Sequence, residues 1–540
     1  MKETNLLVVK NLSLSISGIS ILDNISFKLK KNEILGFVGE SGSGKSLTAF
    51  SIVNLFNSKK FKKSGHIFFN GERIESLKDK GFEKIRGSKI SIIFQEPMSS
   101  LNPSMKCGKQ VLEIILKHKI MNKIKAKARV LDLLKMVKLA APETVFNKYP
   151  HELSGGQQQR IMIAIAIACN PQILIADEPT TSLDGIVKKE IITLLKEIQK
   201  KTKMGIIFVS HDLNLVSKIA NNIIVLKRGS IIESGHSKNI FNSPKNIYTK
   251  ILLNARPPKK VRPKKLPSSD NILKKQSLIS KRERVKRHKK IYNSDPILKV
   301  KNLHFAYEKK LILNNINFNL YRGETLGLIG ESGSGKSTIA KSILNLNNFE
   351  KGEILFNNTN IKKYNQQEFR KNIQLVFQDP FSSLNSQTSI GFSIMEPMLA
   401  HNLYKDKDER ISKVHELLDN VGLNKDDFFK YPYQFSGGQR QRIVIARALA
   451  LSPKIIICDE CVSALDVSVQ AQVLNLLNSL KDKFSFTFLF ISHDLSVIRY
   501  MSDRVIILNK GIIEENGETD KVFQSPTMPY TKQLLKASDF

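Results

Sequence analysis

The sequence predicts an α/β protein built twice in one chain. Three observations carry that reading. The string Gly39-Glu40-Ser41-Gly42-Ser43-Gly44-Lys45-Ser46 returns unchanged as Gly330-Glu331-Ser332-Gly333-Ser334-Gly335-Lys336-Ser337, 291 residues later (39 to 330). Each string follows a short apolar run, Ile34-Leu35-Gly36-Phe37-Val38 or Thr325-Leu326-Gly327-Leu328-Ile329, that reads as a buried strand. The residues ahead of these runs align between the halves without a gap, from Asn11-Leu12 and Asn302-Leu303 onward. Self-similarity at a fixed spacing signals a duplicated domain.

The elements follow in order. Leu22-Asp23-Asn24-Ile25-Ser26-Phe27 and Leu313-Asn314-Asn315-Ile316-Asn317-Phe318 alternate apolar with polar residues and predict strands of an antiparallel layer. The glycine strings come next, with a helix expected to start near Lys45 and Lys336. A ring of backbone N–H groups at a helix N-terminus holds phosphate oxygens. Gly39, Ser41, Gly42 and Gly44, and Gly330, Ser332, Gly333 and Gly335, are the expected cradle. Lys45 and Lys336 would reach the β- and γ-phosphates, and the hydroxyls of Ser46 and Ser337 would ligate Mg²⁺. Between Gln95 and Ser154 the pattern turns helical, as in Val111-Leu112-x-x-Ile115-Leu116, which predicts an inserted helical subdomain. The apolar runs at 173–176 and 205–209 are short enough for parallel strands.

Composition narrows the class. With 41% hydrophobic and 25% charged residues the chain is ordinary for a globular protein, and 540 residues suffice for two to four domains. Its longest apolar run, residues 161–169, falls short of the ~20 residues a membrane span needs. The first residues lack the apolar core of a signal peptide, and four cysteines make no disulfide scaffold, so a cytoplasmic setting is expected. Net charge is +36, from 85 basic and 49 acidic residues, a balance that suits nucleic acid, an anionic membrane face or a plain lysine bias. Between the halves, residues 256–290 hold 15 Lys and Arg against Asp270 and Glu283, with four prolines and no Phe, Tyr or Trp. That composition predicts a flexible basic linker, its last third able to form a short helix. The expected division is 1–255, a linker at 256–295, and 296–540.

Each half carries further chemistry in the same order. Ser154-Gly155-Gly156-Gln157 and Ser436-Gly437-Gly438-Gln439 open apolar helices and offer a second phosphate-reading turn, in which Ser154, Gly156, Ser436 and Gly438 are the expected contacts. Asp177-Glu178 and Asp459-Glu460 end apolar strands 23 residues after those serines (154 to 177, 436 to 459). A carboxylate at a buried strand end needs a cation, which Mg²⁺ would supply to Asp177 and Asp459, and the following Glu178 and Glu460 can polarise an attacking water. His211 and His493 lie 34 residues beyond the aspartates (177 to 211, 459 to 493).

This ordered set, found twice, resembles the ATP-binding-cassette (ABC) ATPases, members of the P-loop NTPase class, over nearly the whole chain except the linker. The resemblance implies ATP and Mg²⁺ as cofactors and a head-to-tail intramolecular pairing of the two ATPase domains. Site one would comprise Lys45, Ser46, Gln95, Asp177, Glu178 and His211, closed by Ser436 and Gly438. Site two would comprise Lys336, Ser337, Gln378, Asp459, Glu460 and His493, closed by Ser154 and Gly156. Gln95 and Gln378 would sense the metal and water, Glu178, His211, Glu460 and His493 would be catalytic, and Asp184 and Asp466 would lie at the domain interface. Phe435 departs from the family's Leu. Tyr307 falls where the family stacks an aromatic ring on adenine; the first half has Ile16 there, so weaker ATP binding is expected at site one. Cys458-x-x-Cys461 has redox or metal spacing but overlaps the Mg²⁺ strand, and a packing role is the preferred reading.

The segments Gln95-Glu96-Pro97-Met98-Ser99-Ser100-Leu101-Asn102-Pro103 and Gln378-Asp379-Pro380-Phe381-Ser382-Ser383-Leu384-Asn385, with tails ending Tyr248-Thr249 and Tyr530-Thr531, resemble ATPases of bacterial dipeptide, oligopeptide and nickel importers. That implies two membrane permease subunits as partners, a substrate-binding protein acting through them, and a peripheral place on the cytoplasmic side of the inner membrane. The rival is a soluble twin-cassette ATPase acting on the ribosome or nucleic acid. The charge favours it; the proline-broken linker and the two tails weigh against it. Peptide uptake across the cytoplasmic membrane is the expected function; the sequence leaves nickel, glutathione-like and sugar-like solutes open.

Overall fold

In the computed structural model the described residues are 5–56, 60–118, 121–181, 183–258, 261–267, 277–308 and 310–538. The chain divides into two compact units that meet in sequence at Leu253 and Asn254. In the first, the strand Ile34–Val38 lies between Gly205–Ser210 and Asn222–Lys227. Ile173–Asp177 and Ile90–Ile93 extend this sheet on one side, all parallel, and Ser230–His236 closes the other edge antiparallel. Every residue of Ile34–Val38 is buried, as a strand covered on both faces requires. The second unit repeats the plan, in the order Ile373–Val376, Ile455–Asp459, Thr487–Ile491, Thr325–Ile329, Arg504–Asn509 and Ile512–Glu518.

The expected antiparallel layer is a separate four-stranded sheet in each unit. Ile19–Lys30 pairs with Asn5–Ile16, which pairs with Phe61–Phe69, and Lys310–Tyr321, Pro296–Tyr307 and Lys351–Phe356 repeat the arrangement. In the first unit Leu12, Leu22 and Ile25 of this layer share a core with Phe37 and Ile207 of the parallel sheet, and the Phe27 and Phe37 rings meet edge to face at 5.1 Å. The opposite face of the sheet packs on the helical subdomain, where Val111, Ile115, Val130 and Leu133 join Ile163, Ile206 and Phe208. That subdomain includes the helices Cys107–His118, Lys123–Met136 and Gly155–Ile167, with Ile390–Ala400, Lys407–Asn420 and Gly437–Leu449 as counterparts.

One expectation is corrected. The basic segment read as a flexible linker is packed on the second unit over its described residues; positions 259, 260 and 268–276 of it lie outside them. Leu266 is fully buried, its N–H donating to Asn475 Oδ1 at 2.8 Å and its carbonyl accepting from Asn475 Nδ2 at 2.9 Å. The expected basic helix forms at Lys281–Tyr292, and Ser280 and Glu283 cap its start reciprocally. Its buried side, Arg284, His288 and Ile291, meets carboxylates of the second unit: Arg284 pairs with Asp520, and Arg287 with Asp503 at 3.1 Å. Local composition pointed to a flexible linker; the neutralising carboxylates come from more than 200 residues away. Among the described residues no helix is long and apolar enough to cross a membrane.

Candidate functional site

Both glycine strings join a strand to a helix, Lys45–Ile52 or Lys336–Ile343, as expected. Gly44 and Gly335 cap these helices at φ 99° and 106°, a region closed to residues with a Cβ. A Cβ on Gly39 or Gly330 would stand 2.3 Å from the carbonyl of Leu226 or Leu508, so the adjoining strand fixes that position as well. The Lys45 ammonium lies across the loop, donating to Gly39 O and Glu40 O, both at 2.8 Å. Lys336 does the same to Gly330 O at 2.9 Å and Glu331 O at 2.8 Å.

The strand-end carboxylates converge on these loops. Ser46 Oγ donates to Asp177 Oδ1 at 2.9 Å, which ties the helix start to the end of the strand Ile173–Asp177, with Gly205–Ser210 between that strand and Ile34–Val38; in the second unit Ser337 acts on Asp459 and opposes the rise of its carboxyl. Burial, with Glu178 alongside, pushes the Asp177 carboxyl up to about 6 even though Ser46 opposes the shift. Asp459 is raised by the same cause, and its Oδ1 is buried without a partner among the described residues. An orphaned buried carboxylate oxygen beside a serine hydroxyl is a donor set suited to a hard cation.

Glu178 differs from its neighbour. It sits at φ 47°, and Glu460 at φ 50°, in the left-handed region that few non-glycine residues occupy. Each is pinned by its own N–H, which donates to Val209 O or Ile491 O at 3.0 Å. Strain of this kind collects where geometry serves function. The turn aims the Glu178 carboxylate at three groups: His211 Nδ1 at 3.2 Å, Gln95 Nε2 at 3.3 Å and Thr181 Oγ at 2.8 Å. Burial works against its charge, but the bonds from His211 and Thr181 overcome it and hold the carboxyl at about 2. Adjacent carboxyls are thus pushed apart, one toward proton or metal binding and one toward a permanent charge. Glu460 is likewise lowered against its burial by His493 at 3.2 Å, and its partner Gln378 donates at 3.2 Å.

The second phosphate-reading turns sit at helix starts in both units. Ser154 and Ser436 cap Gly155–Ile167 and Gly437–Leu449 in reciprocal boxes with Gln157 and Gln439. Gly156 and Gly438 have a packing reason to be glycine, since a Cβ would meet Val187 Cγ1 at 2.6 Å and Val469 Cγ1 at 2.1 Å. Tyr307 ends its strand with the ring 65% exposed, open to a planar ligand. Ile16 ends the matching strand, but there Phe61 stands directly opposite it. In the second unit the corresponding strand, Lys351–Phe356, reaches back only to His304 and leaves Tyr307 uncovered. Cys458 and Cys461 are both buried beside the Asp459 strand end, as the packing reading expects.

Sequence reasoning missed Thr181 and its counterpart Ser463. Thr181 bonds the Glu178 side chain; Ser463 donates instead to the backbone carbonyl of Glu460 at 2.9 Å. The recurrence of a hydroxyl three residues after each Glu was the available signal. It missed also that the tail tyrosines reach the loops: Tyr248 Oη accepts from Glu40 N at 3.0 Å and Tyr530 Oη from Glu331 N at 3.4 Å.

A strand–glycine loop–helix with its lysine, a Ser–Asp pair and a Glu–His–Gln cluster, present in both units, define a duplicated P-loop nucleotide hydrolase. Comparison with known proteins is specific. The family model described as "ABC transporter" matches residues 22–181 and 313–463. The model "Oligopeptide/dipeptide transporter, C-terminal region" matches 232–280 and 514–538. The glutathione import ATP-binding protein GsiA of Escherichia coli (strain K12) is 40% identical over 576 residues, covering 99% of this chain and 89% of that protein. Its namesake in Shigella dysenteriae serotype 1 (strain Sd197) is 39% identical over 568 residues with the same coverage. Among solved structures, cbiO1 of Clostridium perfringens, part of the ABC transporter complex cbiONQ, aligns with TM-score 0.40 at 29% identity, covering 43% of this chain and 92% of that one. The chain belongs to the ABC transporter family, as a fused pair of ATP-hydrolysing domains of the importer type.

Proposed function

We propose that the chain powers uptake of a small peptide-like solute, of the size and polarity of glutathione, through two membrane permease subunits. The observation that carries this is the importer-type tail, matched after each domain, in a chain whose relatives are glutathione import ATPases along nearly their whole length. The chain would sit peripherally at the cytoplasmic face of the inner membrane. A substrate-binding protein would act on it only through the permeases.

Each ATP would lie between one domain's loop and the other domain's Ser-Gly-Gly-Gln turn. Lys45 or Lys336 would hold the β- and γ-phosphates, and Ser436 and Gly438, or Ser154 and Gly156, would face the γ-phosphate from across the pair. Tyr307 would stack on adenine in site two. Ser46 with Asp177, and Ser337 with Asp459, would hold Mg²⁺, with Gln95 and Gln378 alongside. The metal would neutralise charge on the phosphates as the terminal bond breaks. Glu178 and Glu460, kept ionised and held by His211 and His493, would accept hydrogen bonding from the attacking water and orient it. A γ-phosphate gripped from both sides favours the closed pair, and its loss releases that grip.

The test is reconstitution. This chain, co-purified with its two multi-span permeases in lipid vesicles, should show ATPase activity raised several-fold by a binding protein loaded with a short peptide or glutathione. Stimulation only by ribosomes or RNA, with no permease recovered, would replace the importer reading.

A further inference from the structure

The carboxyl-terminal tail of each unit is built to reach the phosphate loop. We infer that Tyr248 and Tyr530 are positioning residues for ATP binding, acting through the peptide that joins the loop's first two residues, Gly39–Glu40 or Gly330–Glu331. Each tyrosine accepts the N–H of Glu40 or Glu331, at 3.0 and 3.4 Å. The carbonyl of that same peptide, from Gly39 or Gly330, accepts from the loop lysine at 2.8 and 2.9 Å, and the lysine also reaches the Glu40 or Glu331 carbonyl at 2.8 Å. The hydroxyl therefore orients the peptide on which the phosphate-binding lysine rests. Rotation of that peptide would break the N–H bond to the tyrosine and take the Gly39 or Gly330 carbonyl away from the ammonium.

The tyrosine is itself held. Glu233 accepts the N–H groups of Lys245 and Asn246, fixing the turn that enters the helix Ile247–Asn254. Glu515 does the same for Thr527 and Met528 ahead of the helix Pro529–Ser538. Tyr248 is buried, and the Lys227 ammonium lies 4.7 Å from its ring centre. The tyrosine, its bond to the loop and the glutamate that fixes its turn recur on residues of the importer-type tail, 282 positions apart (248 to 530). The assignment rests on ATP hydrolysis by this chain and not on the identity of the solute.

The test is Tyr248→Phe with Tyr530→Phe in the full chain, because Phe keeps the ring and removes the hydroxyl that accepts the loop N–H. Binding of a non-hydrolysable ATP analogue with Mg²⁺ should weaken about two- to tenfold, the worth of one hydrogen bond, and KM for ATP should rise in step while kcat stays within twofold. Amide exchange at Glu40 and Glu331 should quicken, with the melting temperature of the ligand-free protein unchanged. In single variants Tyr248→Phe should show the larger effect, since its bond is shorter and the residue more buried. Nucleotide affinity and amide exchange equal to the parent chain would overturn the assignment. So would lowered melting temperature and kcat with KM constant, which would mark the tyrosines as packing alone.

Discussion

The packed linker offers the sharpest test, through Asp503. Its carboxylate accepts from Thr325 N at 2.9 Å and faces Lys481 at 3.3 Å, Arg287 at 3.1 Å and His288 at 3.7 Å. Burial opposes its charge, but Lys481, His288 and Arg287 hold the carboxyl well below the usual carboxylate range. Asp503→Asn removes the charge and leaves Lys481, itself only 6% exposed, buried beside Arg287 without its counter-ion. Breaking a buried pair on one side costs about 3–5 kcal/mol. For a unit of this size each kcal/mol moves the midpoint by about 2–4 °C, so the second unit should melt about 6–20 °C earlier. The sign with pH follows from the depressed value. Asp503 contributes its full stabilisation above the unfolded carboxyl's pKa of about 3.9, and the contribution shrinks only as pH falls below that toward the folded value. The gap between parent and variant should therefore be flat from pH 6 to 8 and narrow below pH 4. Calorimetry resolving the two units, with limited proteolysis at residues 281–292, measures both effects. A shift under 2 °C with no gain in cleavage would refute the argument that the linker is part of the second unit's core.

Other outcomes are expected at the sites. Glu178→Gln with Glu460→Gln should lower turnover by about 10²-fold or more, the range for losing a positioned base, while ATP binding persists; near-normal turnover would remove both residues from that role. Tyr307→Ala and Phe61→Ala should each weaken nucleotide binding at their own unit by about 0.5–1.5 kcal/mol, the worth of an aromatic contact. An effect at Tyr307 alone would mean that Phe61 does not compensate for Ile16. Because the Asp177 carboxyl is pushed up to about 6, protons should compete with Mg²⁺ there below that pH. Half-saturating Mg²⁺ for ATP hydrolysis should rise as pH drops from 7 to 5, and a flat profile would count against Asp177 as a ligand.

Much of this site was legible before any fold. Lys45, Ser46, Asp177 and Glu178 announce themselves because phosphate and metal chemistry tolerates few residue types, and the second copy fixes the spacing. Thr181 was invisible as a partner of Glu178, since a hydroxyl in a loop has many neighbours open to it. Gly156 pointed to phosphate in the sequence, whereas the fold adds the crowding of Val187 as a second reason for glycine. Tail tyrosines 248 and 530 read as branch markers until the fold brought them 208 and 199 residues back to the loops.

The sequence by itself determined the duplication, the strand–loop–helix order and the chemistry of the loops, because these are set by local pattern and by residue type. Only the tertiary structure decided where the basic linker goes, which partner each carboxylate answers to, and which edge of each antiparallel layer is covered. Those outcomes depend on charges and hydrogen-bonding groups meeting across hundreds of residues, where desolvation makes an unmatched group costly and a matched one specific.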